Sequence, residues 1–122
     1  MTGATPAEII KARLRADLRS AMRARLSADV AVLRVLIATL DNAEAVAIGD
    51  RHQRYVQLEF GDRSAEAPRR RLSPADIEGL LAREVRERRD AAAELGETGQ
   101  AERAARLEAE AELITRYQAT GG

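Results

Sequence analysis

With 122 residues, of which 45% are hydrophobic and 33% charged, the chain suits one domain with a modest core and is short for two. Its 20 basic and 20 acidic side chains cancel, which excludes a global pull toward nucleic acid or anionic membrane and confines any such binding to a local patch. The absence of cysteine excludes disulfides, thiolate metal sites and thiol nucleophiles.

Aromatic residues are confined to Tyr55, Phe60 and Tyr117, and the apolar content is mostly Ala, Leu, Val and Ile. That profile suits packed helices and not a sheet sandwich. The expected fold is an all-α, four-helix, bundle-like domain covering residues 1–122. Charge is nearly even along it: Met1 to Gly61 holds 9 basic and 7 acidic residues (+2), and Asp62 to Gly122 holds 11 and 13 (−2). Met1 to Arg15 lacks an apolar run of signal-peptide length, and no later segment approaches the roughly 20 apolar residues that span a bilayer. A cytoplasmic location without a membrane partner is the expectation.

Helix 1 is expected from about Ala7 to Arg25, with Ile10, Leu14, Leu18 and Met22 as a buried row repeating every fourth residue. Helix 2 is expected from Ala28 or Asp29 to Val46, capped by Ser27 or Asp29, with Leu33, Leu36, Ile37 and Leu40 inward and Gly49-Asp50 as its stop. Residues 49–72 read as an irregular connection. Within it Val56, Leu58 and Phe60 alternate with polar residues, which permits either a short strand or an extra helical turn.

Helix 3 has the clearest start: Ser73 as N-cap, Pro74 at the first helical position, and Asp76 and Glu78 in the first turn. It should end near Leu95 and Gly96, with Ile77, Leu80, Leu81 and Val85 inward. After a short break at Gly96 to Gly99, helix 4 carries Ala104, Leu107, Ala111, Leu113, Ile114 and Tyr117. Helices joined so tightly should fold back as an antiparallel hairpin.

Residues able to carry chemistry are few. His52 stands alone between Arg51 and Gln53 and reads as a solvated loop residue; Glu108, Glu110 and Glu112 alternate and read as solvated surface; the serines lack a nucleophile-elbow context. No catalytic residue, metal site or cofactor is expected. One pattern rises above this background: Lys11, Arg15, Arg19 and Arg23 recur every fourth residue and place a basic stripe along helix 1. It is either a solvated face partly neutralised by Glu8 and Asp17 or a row of phosphate contacts. Arg83, Arg86, Arg88 and Arg89 form a second group, in which Glu84, Glu87 and Asp90 interleave, so ion pairing within the helix is expected.

Four segments taken in order, Asp17-Leu-Arg-Ser-Ala-Met-Arg, Val32-Leu-Arg-Val-Leu-Ile-Ala-Thr-Leu-Asp-Asn-Ala-Glu44, Arg83-Glu-Val-Arg-Glu-Arg-Arg-Asp90 and Glu112-Leu-Ile-Thr-Arg-Tyr117, resemble the successive motifs of the YqeY family. The resemblance covers residues from about Glu8 to Tyr117. That family is related to the helical tail of GatB, a subunit of the glutamine-dependent tRNA amidotransferase, whose tail contacts tRNA while the chemistry belongs to other domains. The resemblance implies a non-catalytic module that binds tRNA or associates with an amidotransferase complex. The positions it singles out for RNA contact are Arg19, Arg23, Arg34, Asn42, Arg83, Arg86 and Arg89, to which the stripe adds Lys11 and Arg15.

Two departures from the family pattern stand out. The second small helical domain that typically follows the closing tyrosine is absent from this sequence, and the stretch from Arg51 to Arg71 is longer than the usual connection. The alternative expectation is a protein-interaction or self-associating helical module, a homo-oligomer built on Val56, Leu58 and Phe60, without RNA binding.

Overall fold

Four helices follow one another in the computed structural model: α1 (Pro6–Arg23), α2 (Ser27–Leu58), α3 (Pro74–Glu97) and α4 (Ala101–Thr115). The structure describes residues 3–58 and 71–118, with side chains for 3–45 and 71–118, and no strand occurs among the described residues. The all-α expectation holds. So does the α3–α4 hairpin, since these two helices pack along their length. A second hairpin, α1–α2, packs against it to enclose one core in which Leu14, Leu33, Leu36, Leu40, Leu81 and Ile114 are fully buried.

The helix starts follow from local chemistry. Thr5 and Glu8 form a capping box at α1, and Ser73 with Asp76 forms one at α3, each with proline at the first helical turn. Every capping side chain there satisfies a backbone N–H that the helix itself cannot. α2 begins differently: its first helical bond runs from the Val30 N–H to the Leu26 carbonyl, 3.0 Å, so Leu26 holds the cap position and neither Ser27 nor Asp29 caps it.

Both hairpins turn on the same device. At the end of α1 the Leu26 N–H reaches the Ala21 carbonyl (2.9 Å) and the Arg25 N–H reaches Met22 (3.1 Å); at the end of α3 the Gln100 N–H reaches Leu95 (2.8 Å) and the Gly99 N–H reaches Gly96 (3.3 Å). These paired bonds make two Schellman motifs, which require one residue in the left-handed region. Gly99 supplies it after α3 with φ 79°, but after α1 the residue is Arg25, with φ 59°. Glycine adopts that conformation freely, whereas a side chain there costs about 1–2 kcal/mol.

Three sequence expectations need correction. α2 does not stop at Gly49 but continues to Leu58, which places His52 and residues 55–58 in a helix and not in an irregular connection or strand. A single glycine lowers helix propensity by only about 1 kcal/mol, too little to end a helix supported on both sides. Glu59 and Phe60 lie outside the described residues. Met22 is half exposed, because the inward row of α1 is Ala7, Lys11, Leu14 and Ala21, with Leu18 partly buried beside them, and it drifts with the true 3.6-residue period away from a strict repeat of four. Tyr117 falls just beyond α4 and is buried there.

Candidate nucleic-acid interface

Lys11 departs most sharply from the stripe that contains it. Its side chain is only 10% exposed and its ammonium donates to Asp41 Oδ1 and Glu44 Oε1, each at 2.8 Å. The aliphatic stem lies in the α1 row that faces α2, and the charge is answered by two carboxylates one turn apart on that helix. Burial disfavours the ammonium, but the bonds to Asp41 and Glu44 outweigh it, so Lys11 titrates above its ordinary 10.5. A lysine so enclosed is a structural tie and does not reach phosphate.

Arg15, Arg19 and Arg23 are all exposed on α1. Among the described residues none has a carboxylate at ion-pair distance; Arg23 donates only to the Ser20 hydroxyl, 3.3 Å away. Asp17, expected to neutralise part of the row, accepts instead from the Tyr117 hydroxyl. Burial, reinforced by that bond, pushes the Tyr117 phenol well above its ordinary 10.0. Arg13 lies 4.5 Å over the Tyr117 ring and donates to the Arg116 carbonyl at 3.1 Å. The chain past α4 is thus tied back onto α1, and the carboxylate nearest in sequence to the arginine row is drawn into that tie.

At the turn the basic row gains a residue that sequence reasoning missed. Arg25, held in the left-handed conformation, is exposed and shares one open groove with Met22, Val30, Ala31 and Arg34. Backbone strain held at an exposed cation is a reason to ask what that cation does. The clue in the sequence was a helix end without glycine or asparagine, at Ala24-Arg25-Leu26. From Ala12 to Arg34 there are six arginines and only two carboxylates, Asp17 and Asp29. Arg34 stands on the groove and Asn42 two turns further on, both exposed on α2.

The α3 arginines form no continuation of this patch. Arg89 donates to Glu112 (3.1 Å) and lies 3.6 Å from Glu108, while Arg88 binds Glu84 (2.7 Å) and Glu110 (2.9 Å). Only the Arg88–Glu84 pair lies within one helix; the rest join α3 to α4. Glu108, Glu110 and Glu112 therefore straddle the hairpin seam, Glu110 on one edge and the other two on the opposite edge, instead of forming idle surface. Burial opposes the Arg88 charge but its two carboxylates outweigh this, and its pKa rises. Arg83 and Arg86 are exposed and line two separate shallow depressions.

Among the described residues no group of three or more His, Cys, Asp or Glu is arranged to hold a metal ion, and no helix is long and apolar enough to cross a membrane. Compared with known proteins, the chain matches no family model, no curated protein and no solved structure.

Proposed function

We propose that the chain is a non-catalytic helical module that binds the phosphate backbone of RNA through the end of its α1–α2 hairpin. The observation that carries the reading is the exposed row Arg15, Arg19 and Arg23, extended by Arg25, without a carboxylate at ion-pair distance among the described residues. Cations four residues apart on a helix repel one another by a few tenths of a kcal/mol per pair, and anionic ligand relieves that repulsion. The resemblance to the YqeY family makes tRNA the substrate class to test first and an amidotransferase complex the setting in which to look for it. In this reading the module positions RNA and contributes no group to a reaction; purified protein should release no glutamate from glutamine above a mock preparation.

The test is salt dependence. Three phosphate contacts contribute about 2 units to the slope of log affinity against log salt at single-strand charge density. Changing Arg15, Arg19 and Arg23 together to Gln should remove about that much slope and weaken tRNA binding at about 50 mM salt. Helicity should persist, because Gln is nearly as good a helix former as Arg. Equal affinity and slope in parent and variant would end the RNA reading.

A protein-interaction role is the second reading, favoured by the large apolar side chains left exposed on the α1–α2 hairpin: Met22 at 50%, Leu26 at 49% and Val35 at 42%.

A further inference from the structure

The outer face of α2 is unlike the other solvent faces of this molecule. On α3 the exposed positions include Arg83, Arg86, Glu87, Asp90 and Glu94, as expected for a helix that meets water. On α2 between residues 31 and 45 the exposed positions are Ala31, Arg34, Val35, Ala38, Asn42 and Ala45. The inner face is apolar as well, with Val32, Leu33, Leu36 and Leu40 in the core. A helix face made mostly of alanine and valine normally packs against something, yet here Val35 remains 42% exposed.

The charges beside this face show what would cover it. Successive residues turn by about 100°, so Ala38 lies at the centre, Arg34 and Asp41 fall on one flank, and Val35 and Asn42 on the other. Asp41 already accepts from Lys11 through Oδ1 at 2.8 Å, which fixes its position, and its side chain is still 43% exposed. When two such helices pack antiparallel, equivalent flanks meet. Arg34 is four residues before Ala38 and Asp41 three after it, so each arginine comes to lie beside the partner's Asp41. A parallel pair would instead set this flank against the partner's Val35 and Asn42 and leave each charge without its complement. The face is thus self-complementary in one orientation only, the condition for a two-fold interface.

We propose that two copies of this chain associate through the outer faces of α2, antiparallel about a two-fold axis at Ala38, with Arg34 of each copy paired to the partner's Asp41. Val35 packs beside the partner's Asn42 on the other flank, and the alanine at the axis lets the helices approach closely. None of the four arginines assigned to RNA belongs to this interface, so either reading can fail without the other.

The chain has no cysteine, which makes the register directly testable. With a mild oxidant, Ala38→Cys should yield a disulfide-linked dimer, because residue 38 meets its own copy at the axis. Ala31→Cys alone should not, since residue 31 lies opposite the partner's residue 45, while Ala31→Cys with Ala45→Cys should crosslink. All three positions are exposed, and unchanged thermal melting under reducing conditions checks that the variants fold. In sedimentation equilibrium the parent should self-associate, and Arg34→Glu should weaken that association roughly tenfold through the loss of two exposed ion pairs. A parent that stays monomeric at millimolar concentration overturns the proposal. So does crosslinking of Ala31→Cys as readily as Ala38→Cys, which would mark a parallel or random encounter.

Discussion

Lys11→Met isolates the internal ion cluster, because methionine matches the lysine stem in length and apolar character and removes only the charged end. The ammonium it deletes lies 2.8 Å from both Asp41 and Glu44, whose side chains are 43% and 10% exposed. Asp41 can turn to water at little cost. Glu44 cannot, so most of the penalty falls on a carboxylate that keeps its burial and loses one of its partners. Breaking a buried pair from one side costs roughly 3–5 kcal/mol when the remaining charge is uncompensated; the exposure of Asp41 and the further interaction that Glu44 keeps hold this case to about 3 kcal/mol or less. For a domain of this size that lowers the melting temperature by on the order of 10 °C.

Circular dichroism melts of the parent, Lys11→Met and Lys11→Met with Glu44→Gln measure this. The double variant should regain part of the loss, since a buried amide costs far less than a buried charge. The alkaline limb gives a second check. Lys11 is raised above its ordinary 10.5, so its contribution is complete below that value and is lost as pH rises through the folded-state pKa. The single variant should lack that part of the alkaline decline. A melting temperature within about 2 °C of the parent, or an equal loss in single and double variants, would refute the assignment of the cost to Glu44.

The two Schellman turns predict opposite outcomes. Gly99→Ala, at φ 79° with open space around it, should destabilise by about 1 kcal/mol, while Arg25→Gly, at φ 59°, should stabilise by up to about 1 kcal/mol and still weaken RNA binding. Urea titration with a parallel RNA-binding assay reads both effects; a less stable Arg25→Gly would show that the side chain makes a compensating contact. Tyr117→Phe keeps the ring under Arg13 and removes the bond to Asp17, at a cost of about 1.5 kcal/mol. Because the folded phenol is raised above 10.0, its contribution is complete below that pH and declines above it, so ultraviolet titration should show Tyr117 ionising later than a free tyrosine.

Signals confined to a few neighbouring residues were legible in the sequence, and signals that depended on distant partners were not. Ser73-Pro74 with Asp76 specifies a helix start by itself, and the α3 start lies where that motif puts it. Gly49-Asp50 reads as a stop, yet α2 runs through it, because one glycine costs only about 1 kcal/mol of helix propensity. Lys11 belonged to the basic stripe by spacing and to the core by packing; only Asp41 and Glu44, 30 and 33 residues away, distinguish the two. Glu110 is illegible in sequence for the same reason, since its partner Arg88 lies 22 residues back across the hairpin. Arg25 escaped notice because its importance lies in a backbone angle, and the residue type most often found at that angle is glycine.

A net charge of zero and a basic site are compatible once the distribution of partners is considered. Asp41 and Glu44 face Lys11, Asp17 faces Tyr117, and Glu84, Glu108, Glu110 and Glu112 face Arg88 and Arg89. These carboxylates are held where they stabilise the fold, and Arg15, Arg19, Arg23 and Arg25 keep an uncompensated field along the second half of α1 and the turn that follows it. Clefts and ends of this kind attract polyanions regardless of the total charge, over a distance of about 8 Å at physiological salt. A two-fold at Ala38 would set the two hairpin turns at opposite ends of the α2 pair. Ser27 begins α2 11 residues from Ala38, so the turns would stand roughly 33 Å apart. At several Debye lengths the two Arg25 turns do not repel each other, and an RNA long enough to reach both would be held at two points through avidity.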